Sequence, residues 1–379
     1  MIPRLAKFID WLFVQRVFMR MPSPDVRTLR MEETLRFLKG PDFIPAEAQT
    51  ARVEFHPEES GLHFRFPTPR LSGFAENNVA YGRLYRCPQR WQERPVILLL
   101  HGGNLMRGRA RSLGYQFGFP LIARRCNRAG FNAATLELPY NFQCHPRQPG
   151  VLEAENYLRM AEATAQAVAE IRALIGWLLR EGCPAVALWG VSLGGWLAGL
   201  TVCREARLTA VVMTLPTVRS NAGLAEQIIR RSLREAWRPL LQQDEVLDST
   251  PFNLTLAQPA IPKDKILLIG GIHDLVCPLK PIEELWALWG QPDLWRLPQG
   301  HVSFMSEVGL TGRVLRWLSA RLDTPSFTNQ QKPPPPDKSL RATRDCPLSS
   351  ASRFTSLGPA CLSLGLALAE LSLDGNTRI

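Results

Sequence analysis

The segment Gly190–Gly194, GVSLG, has the residue pattern of a serine nucleophile. It follows the apolar run Ala185–Trp189 directly and precedes an apolar stretch of helical composition. A serine on a sharp turn from strand to helix adopts strained backbone angles, and glycines two residues to either side leave room for the turn to close. The pattern therefore predicts that Ser192 is a nucleophile. A glycine-rich turn that only happens to contain a serine is the plainer alternative.

A serine hydroxyl is a poor nucleophile until a base removes its proton, so a histidine must be available. In sites of this pattern the chain order is Ser, then Asp or Glu, then His. Only His273 and His301 follow Ser192 in the sequence. His301 lies in a loop between a predicted strand and the last predicted helix, whereas His273 adjoins Asp274 too closely for that aspartate to orient it. We therefore predict that His301 is the general base.

The acid of such a site should follow a late strand of the sheet. Asp274 lies in the loop that leaves the apolar strand Lys265–Ile269, which would bring it to the same edge of the sheet as Ser192. Asp264 precedes that strand and would lie at its other end. A buried carboxylate beside the base holds the imidazole in the useful tautomer and stabilises the imidazolium. Asp274 is therefore the predicted acid.

Acyl transfer also needs hydrogen-bond donors for the negative oxygen of the tetrahedral intermediate. One predicted donor is the backbone N–H of Leu193, at the start of a helix. The loop after the apolar run Pro95–Leu100 reads HGGN, and its glycines would let the backbone approach a substrate. We expect the second donor to be the N–H of Gly103 or Asn104, and we expect His101 to brace the loop.

The elements that must position these residues form an alternating pattern. Short β-rich runs from about Gln49 predict antiparallel edge strands. Continuously apolar runs then alternate with helical segments, the last helix running from Phe304 to about Leu322. This pattern predicts an α/β fold, with a doubly wound, mostly parallel sheet covered on both faces. The alternation lapses at residues 216–262, where one amphipathic segment predicts a small helical cap.

The chain ends differ from this central domain, which we place at residues 46–322. Residues 1–45 form a separate N-terminal segment, and residues 323–379 form a Pro/Ser-rich tail that we expect to be disordered. The first twenty residues predict an amphipathic helix, which we expect to dock on the domain through its apolar stripe, with peripheral membrane contact as the alternative. The stripe consists of Ile2, Leu5, Phe8, Ile9, Leu12 and Phe13.

Composition restricts the class of protein only loosely. The chain has 379 residues, 45% of them hydrophobic and 21% charged, with a formal net charge of +11. Its eight cysteines are scattered singly without zinc-site spacing, which favours reduced thiols and a cytoplasmic protein. We recognise no cleavable export signal and no apolar run long enough to span a membrane. No nucleic-acid-binding module accompanies the positive charge, so we expect no nucleic-acid partner.

Some of the arginines follow the predicted oxyanion loop. We predict that Arg107, Arg109 and Tyr140 contact the substrate, and the charge suggests an anionic one such as a phospholipid or acidic ester. A solvated positive face is the simpler interpretation of the same arginines.

Four segments in this order, HGGN, GVSLG, HDLVCP and QGHVS, resemble the α/β-hydrolase superfamily over about residues 80–322. The segment Glu137–Tyr140, its proline-rich continuation and the basic N-terminal helix are similar to the branch called α/β-hydrolase domain-containing protein 18. The superfamily resemblance implies hydrolysis of an ester, thioester or amide through an acyl-enzyme, with no metal or organic cofactor.

We therefore expect a serine hydrolase that cleaves a carboxylic ester of a small molecule or lipid. A peptidase or thioesterase would share the same three residues and differ in the pocket. A hydrolase fold kept as a binding module without turnover is the alternative from another class, and the retention of Ser, Asp and His argues against it. The sequence leaves acyl and alcohol specificity and the oligomeric state open.

Overall fold

The computed structural model describes seven stretches of the chain: residues 3–20, 30–41, 43–58, 61–103, 118–144, 157–219 and 244–322. The predicted tail, residues 323–379, lies outside them. So does the amphipathic segment of the predicted cap, at residues 220–243.

One nine-stranded sheet organises these residues, in the order β1-β2-β3-β5-β4-β6-β7-β8-β9. The first three strands and β5 pair antiparallel, and β5, β4, β6, β7, β8 and β9 pair parallel. The predicted fold class, including the antiparallel edge, is thus confirmed. The strands are β1 (Glu54–Glu58), β2 (Gly61–Pro67), β3 (Val79–Tyr85), β4 (Val96–Leu100), β5 (Asn132–Leu136), β6 (Val186–Val191), β7 (Ala210–Thr214), β8 (Ile266–Gly271) and β9 (Asp293–Leu297).

The described helices flank the sheet or precede it in the chain. They are α1 (Pro3–Arg20), α2 (Met31–Lys39), α3 (Phe119–Arg128), α4 (Tyr157–Arg180), α5 (Leu193–Val202), α6 (Asp244–Asp248), α7 (Leu279–Leu288) and α8 (Leu310–Ser319). Of these, α2 was not predicted from the sequence; it packs against α4.

The central strand β4 shows why its sequence is apolar at every position. Successive side chains of a strand point to opposite faces. Leu98 and Leu100 belong to the core beneath α4 and α5, whereas Ile97 and Leu99 belong to the core beneath α3 and α8. Because helices cover both faces, no position of the strand is left for a polar side chain.

The last predicted helix is shorter than expected. Instead of one helix from Phe304 to Leu322, a single 3₁₀ turn at Ser303–Ser306 precedes α8. Gly309 separates them with a φ of +79°, a left-handed conformation that interrupts a helix and that glycine adopts without steric cost. The 3₁₀ turn lies directly after His301, so the predicted base belongs to a loop with its own local structure.

The predicted N-terminal helix is present as α1, but the predicted apolar stripe faces the domain only in part, since Ile9, Leu12 and Phe13 are half-buried. Leu5 and Phe8 of the apolar stripe are 45% and 56% exposed. The buried face instead carries Ala6, Asp10 and Val14, at the four-residue spacing of one helix side. The reason is polar: Asp10 accepts hydrogen bonds from the domain, which sets the rotation of the helix.

Within the described residues, none of the helices combines the length and the apolarity that crossing a membrane would require.

Candidate active site

Ser192 lies on a tight turn between β6 and α5. Its backbone has a φ of 54° and a ψ of −116°, outside the regions that a non-glycine residue normally adopts. A Cβ on Gly190 would lie 2.1 Å from the carbonyl oxygen of Gly194, and one on Gly194 would lie 2.3 Å from that of Leu100. Both glycines are therefore required for the turn to close. The N–H of Ser192 donates to the carbonyl of Thr214 at 2.9 Å, which fixes the turn against β7.

Three side chains from separate loops meet at the carboxyl edge of the parallel strands. Nε2 of His301 lies 3.0 Å from Oγ of Ser192. Nδ1 of the same ring lies 2.8 Å from Oδ2 of Asp274. The side chain of Asp274 is fully buried, and that of His301 is 12% exposed. The structure therefore brings together the three residues that the sequence singled out, in the order hydroxyl, imidazole, carboxylate.

The second oxygen of Asp274 fixes the orientation of the carboxylate. Oδ1 accepts the N–H of Val276 at 2.8 Å and the N–H of Cys277 at 2.7 Å. This is the local turn that aspartate side chains form with the backbone two and three residues ahead. Oδ2 is left pointing at His301, so the loop sequence itself aims the acid at the base.

The imidazole of His301 is an unusually strong base for its depth. Burial lowers the pKa of His301, because it disfavours the charged ring. The attraction of Asp274, with contributions from Cys277, outweighs burial and raises the pKa of His301 well above its ordinary value. The arrangement therefore favours an imidazolium, the species that forms when a histidine accepts a proton from serine.

His101 braces the glycine loop, as the sequence suggested. Its Nδ1 lies 2.8 Å from the carbonyl oxygen of Gly102, and its Nε2 accepts the N–H of Leu138 at 3.0 Å. Only the neutral ring with a proton on Nδ1 satisfies both contacts. Burial lowers the pKa of His101 to about 4, so the ring stays neutral at ordinary pH. The side chain joins the loop after β4 to the loop after β5.

The predicted oxyanion donors are described in part. Leu193 is the first residue of α5, so its N–H has no acceptor within the helix. The glycine loop lies against this turn: Cβ positions built on Gly102 and Gly103 fall 3.6 Å from Cβ of Ser192 and Leu193 respectively. Asn104, Arg107 and Arg109 lie outside the described residues, and their predicted roles stay predictions.

Tyr140, the remaining predicted substrate contact, is only 1% exposed. Its φ is 61°, its N–H donates to Oδ1 of Asn77 at 2.8 Å, and its ring meets that of Phe74 edge-on. A ring this enclosed would touch a substrate only after a movement of the loop, so its predicted role stays a prediction.

A buried polar network continues from Asn77 into α4. Asn77 Nδ2 donates to Oε1 of Gln166 at 2.7 Å, and Gln166 Nε2 donates to Oε1 of Glu170 at 2.9 Å. The hydroxyl of Thr68 donates to the same oxygen of Glu170 at 2.6 Å. Burial raises the pKa of Glu170 to about 7. This network ties α4 to Thr68, which follows β2, and to Asn77, which precedes β3 and binds Tyr140 in the loop after β5.

Asp10 of α1 was missed by the sequence analysis, although it contacts both loops that carry the acid and the base. Its carboxylate accepts the N–H groups of Leu275, His301 and Val302. Burial raises the pKa of Asp10, the three N–H groups oppose that rise, and the charge of Asp274 adds to it. The sequence carried one signal: Asp10 lies between Ile9 and Trp11, inside an apolar stretch. An aspartate is rarely buried without partners, so a buried Asp10 would need hydrogen-bond donors.

The family described as alpha/beta hydrolase domain containing 18 matches residues 63–306 of this chain, which include Ser192, Asp274 and His301. The chain belongs to that family.

Individual proteins resemble the chain at lower identity. Two Mycobacterium tuberculosis proteins, "Uncharacterized protein Rv2627c" and "Uncharacterized protein MT2702", are 28% identical over 281 residues. The match covers 71% of this chain and 61% of each relative.

Among solved structures, acetyl xylan esterase 1 of Thermoanaerobacterium sp. superposes with a TM-score of 0.50 at 14% identity, over 82% of this chain and 98% of its own. The esterase Pf2001 of Pyrococcus furiosus has a TM-score of 0.47 at 15% identity, over 71% and 94% of the two chains. The first of these likenesses shows the α/β-hydrolase fold.

Proposed function

We propose that this protein is a serine hydrolase that cleaves carboxylic esters through an acyl-enzyme. The observation that carries the proposal is the continuous contact from Ser192 Oγ through His301 to Asp274, at 3.0 and 2.8 Å. Distances of this size fall within the hydrogen-bond reach expected of a nucleophile, its base and the group that orients the base.

Each residue has one step in the proposed reaction. Oγ of Ser192 attacks the carbonyl carbon while Nε2 of His301 takes the hydroxyl proton, and Asp274 stabilises the resulting imidazolium. The N–H of Leu193 and a donor of the glycine loop bind the negative oxygen. His301 then gives its proton to the departing alkoxide, which leaves as the alcohol. Water repeats the sequence on the acyl-enzyme and releases the acid.

An ester is the preferred substrate class for two reasons. The family carries the hydrolase fold, and the structural neighbour at a TM-score of 0.50 is named an esterase. Thioesters and amides react through the same steps, so they belong in the same assay.

The first prediction is that a fluorophosphonate probe labels Ser192. Wild-type protein should be labelled, and Ser192→Ala should not be, because the probe forms its bond with an activated serine oxygen. The rate of ester hydrolysis should fall by about 10⁶-fold in Ser192→Ala, as when a catalytic serine is removed elsewhere. Intact-protein mass spectrometry and p-nitrophenyl esters of rising acyl length provide the measurements.

Ser249→Ala is the matched control, because Ser249 is a serine hydroxyl bonded only to the nearby carbonyl of Val246 in the described structure. It should retain full labelling. Equal labelling of Ser192→Ala and wild type would refute the proposal. If a p-nitroanilide or a thioester is hydrolysed faster than any ester, Ser192 remains the proposed nucleophile but the proposed substrate class is wrong.

A further inference from the structure

We propose that Asp10 is a positioning residue of the active site, by which the N-terminal helix α1 holds the acid loop and the base loop in register. The inference rests on the proposed function in that the two loops carry Asp274 and His301. It adds an element that lies outside the 63–306 segment matched by the family.

The carboxylate of Asp10 joins the two loops directly. Oδ2 accepts the N–H of Leu275 at 3.1 Å and the N–H of His301 at 2.6 Å. Oδ1 accepts the N–H of Val302 at 3.0 Å. Leu275 follows the acid Asp274 in the chain, and His301 is the base itself. One side chain therefore fixes the backbone on both sides of the 2.8 Å contact between base and acid.

Burial makes this connection specific. Asp10 is fully buried, and an unpaired carboxylate at that depth is strongly unfavourable, so the three N–H groups are what allow it to be there. Without Asp10, the N–H groups of these three loop residues would need other hydrogen-bond acceptors. The helix and the loops thus satisfy each other's polar groups.

Gly300 explains how the carboxylate comes so close. A Cβ built on Gly300 would lie 2.6 Å from Oδ2 and 2.7 Å from Cγ of Asp10. The glycine before the base is therefore required by the approach of Asp10, and it offers a second way to disturb the same contact. The sequence analysis gave no reason for a glycine at this position.

Asp10→Asn tests the inference with the smallest change of shape. An amide has one acceptor oxygen, and its NH₂ group would face a backbone N–H, so at least one of the three hydrogen bonds is lost. We expect kcat for a p-nitrophenyl ester to fall by about 10- to 100-fold with little change in KM, since small misplacements of reacting groups have costs of this order. The acid limb of the kcat/KM profile should also move to lower pH, because a loosened contact with Asp274 raises the pKa of His301 less.

Val14→Ala is the matched control, because Val14 is buried on the same side of α1 and touches no catalytic group through a hydrogen bond. It should weaken the packing of the helix while kcat and the pH profile stay at wild-type values. Gly300→Ala should reproduce the kinetic defect of Asp10→Asn. The double variant should be little worse than either single one, since both remove the same contact.

A second readout does not depend on catalysis. Hydrogen exchange of the amides of Leu275, His301 and Val302 should be faster in Asp10→Asn than in wild type or Val14→Ala, also on a Ser192→Ala background. An unlabelled wild-type protein would refute the proposed function and leave this measurement intact. If Asp10→Asn keeps wild-type kcat, pH profile and amide exchange while its melting temperature falls like that of Val14→Ala, Asp10 only anchors the helix and the inference is wrong.

Discussion

His301 contacts two partners that act on its protonation in sequence. Ser192 supplies a proton that the ring must accept, and Asp274 attracts the charge that results. A ring whose pKa is raised is a better base once neutral, but it is neutral only at higher pH. The pKa of His301 therefore sets the pH at which the proposed hydrolase works.

The pH profile of kcat/KM should show this directly. Because the pKa of His301 is raised well above 6.5, the ring is protonated and inactive at lower pH, and the rate should rise through an acid limb that lies above 6.5. Activity is lost as pH falls through the raised pKa. Initial rates on a neutral ester between pH 5 and 10 give the measurement, and a limb at or below 6.5 would contradict the assignment.

Two aspartates at opposite ends of β8 provide the comparison for that profile: Asp264 lies before the strand and Asp274 lies in the loop after it. Asp274→Asn should lower kcat by about 10⁴-fold, as the same replacement does in a serine protease triad. Asp264→Asn should change neither the rate nor the limb, because Asp264 lies in the 3₁₀ turn that enters β8.

Among the helices, strands and loops, the strand-turn-helix unit β6–α5 was the most predictable part of the site. Each structural requirement of this unit is visible in its sequence: apolar residues for a buried strand, glycines where backbones touch, and a helix after the serine. Asp274 was predictable because its loop leaves an apolar strand at the carboxyl edge of the sheet. The interruption at Gly309 was not, because a glycine within a helical pattern is as compatible with a helix as with a stop.

Helix α4 carries a buried acid whose ionisation should affect folding. The pKa of Glu170 is raised to about 7 in the folded protein, against an ordinary 4.5. Its contribution to stability is fully present below pH 4.5 and is lost as pH rises through 7, because the folded state holds the proton more tightly. The difference between these two pKa values corresponds to about 3 kcal/mol in the free energy of unfolding. Urea unfolding at pH 4.5 and 8 should show wild type losing this amount relative to Glu170→Gln.

Glu162→Gln is the control on the same helix, since Glu162 is 41% exposed and pairs with Arg159. It should follow the pH dependence of wild type. If Glu170→Gln does the same, Glu170 is ionised in the folded protein at acid pH and the network is held by charge.

The fold of the molecule was predictable from the sequence, whereas the role of α1 was not. Periodicity identifies α1 as a helix, but its side chains meet the loops near residues 275 and 301, and no local pattern reports so distant a partner. A stripe of apolar residues is normally the docking face of a helix, whereas here a buried carboxylate determines the rotation. The spacing of hydrophobic residues alone therefore misplaces the outward face of α1.

That outward face gives the predicted membrane contact a specific test. Leu5 and Phe8 are exposed beside the exposed cations Arg4 and Lys7, in a chain of net charge +11. We expect the protein to cosediment with phosphatidylserine vesicles. Replacing both Leu5 and Phe8 by serine should weaken its affinity for the vesicles at least about tenfold, because two large apolar side chains would no longer be buried in the lipid interface.

Leu71→Ser with Val308→Ser is the control pair, because these side chains are 78% and 82% exposed elsewhere on the surface. Equal loss of vesicle binding in the two double variants, or no cosedimentation of the wild-type protein, would contradict the predicted membrane contact.

The connection between α1 and the loops also fixes when the site can exist during synthesis. Translation produces Asp10 first, and the three residues whose N–H groups donate to its carboxylate follow 265, 291 and 292 residues later. A nascent chain that has passed Ser192 but not His301 carries that serine as an ordinary alcohol. The reactivity of Ser192 therefore requires that β9 and the loop carrying His301 have been synthesised.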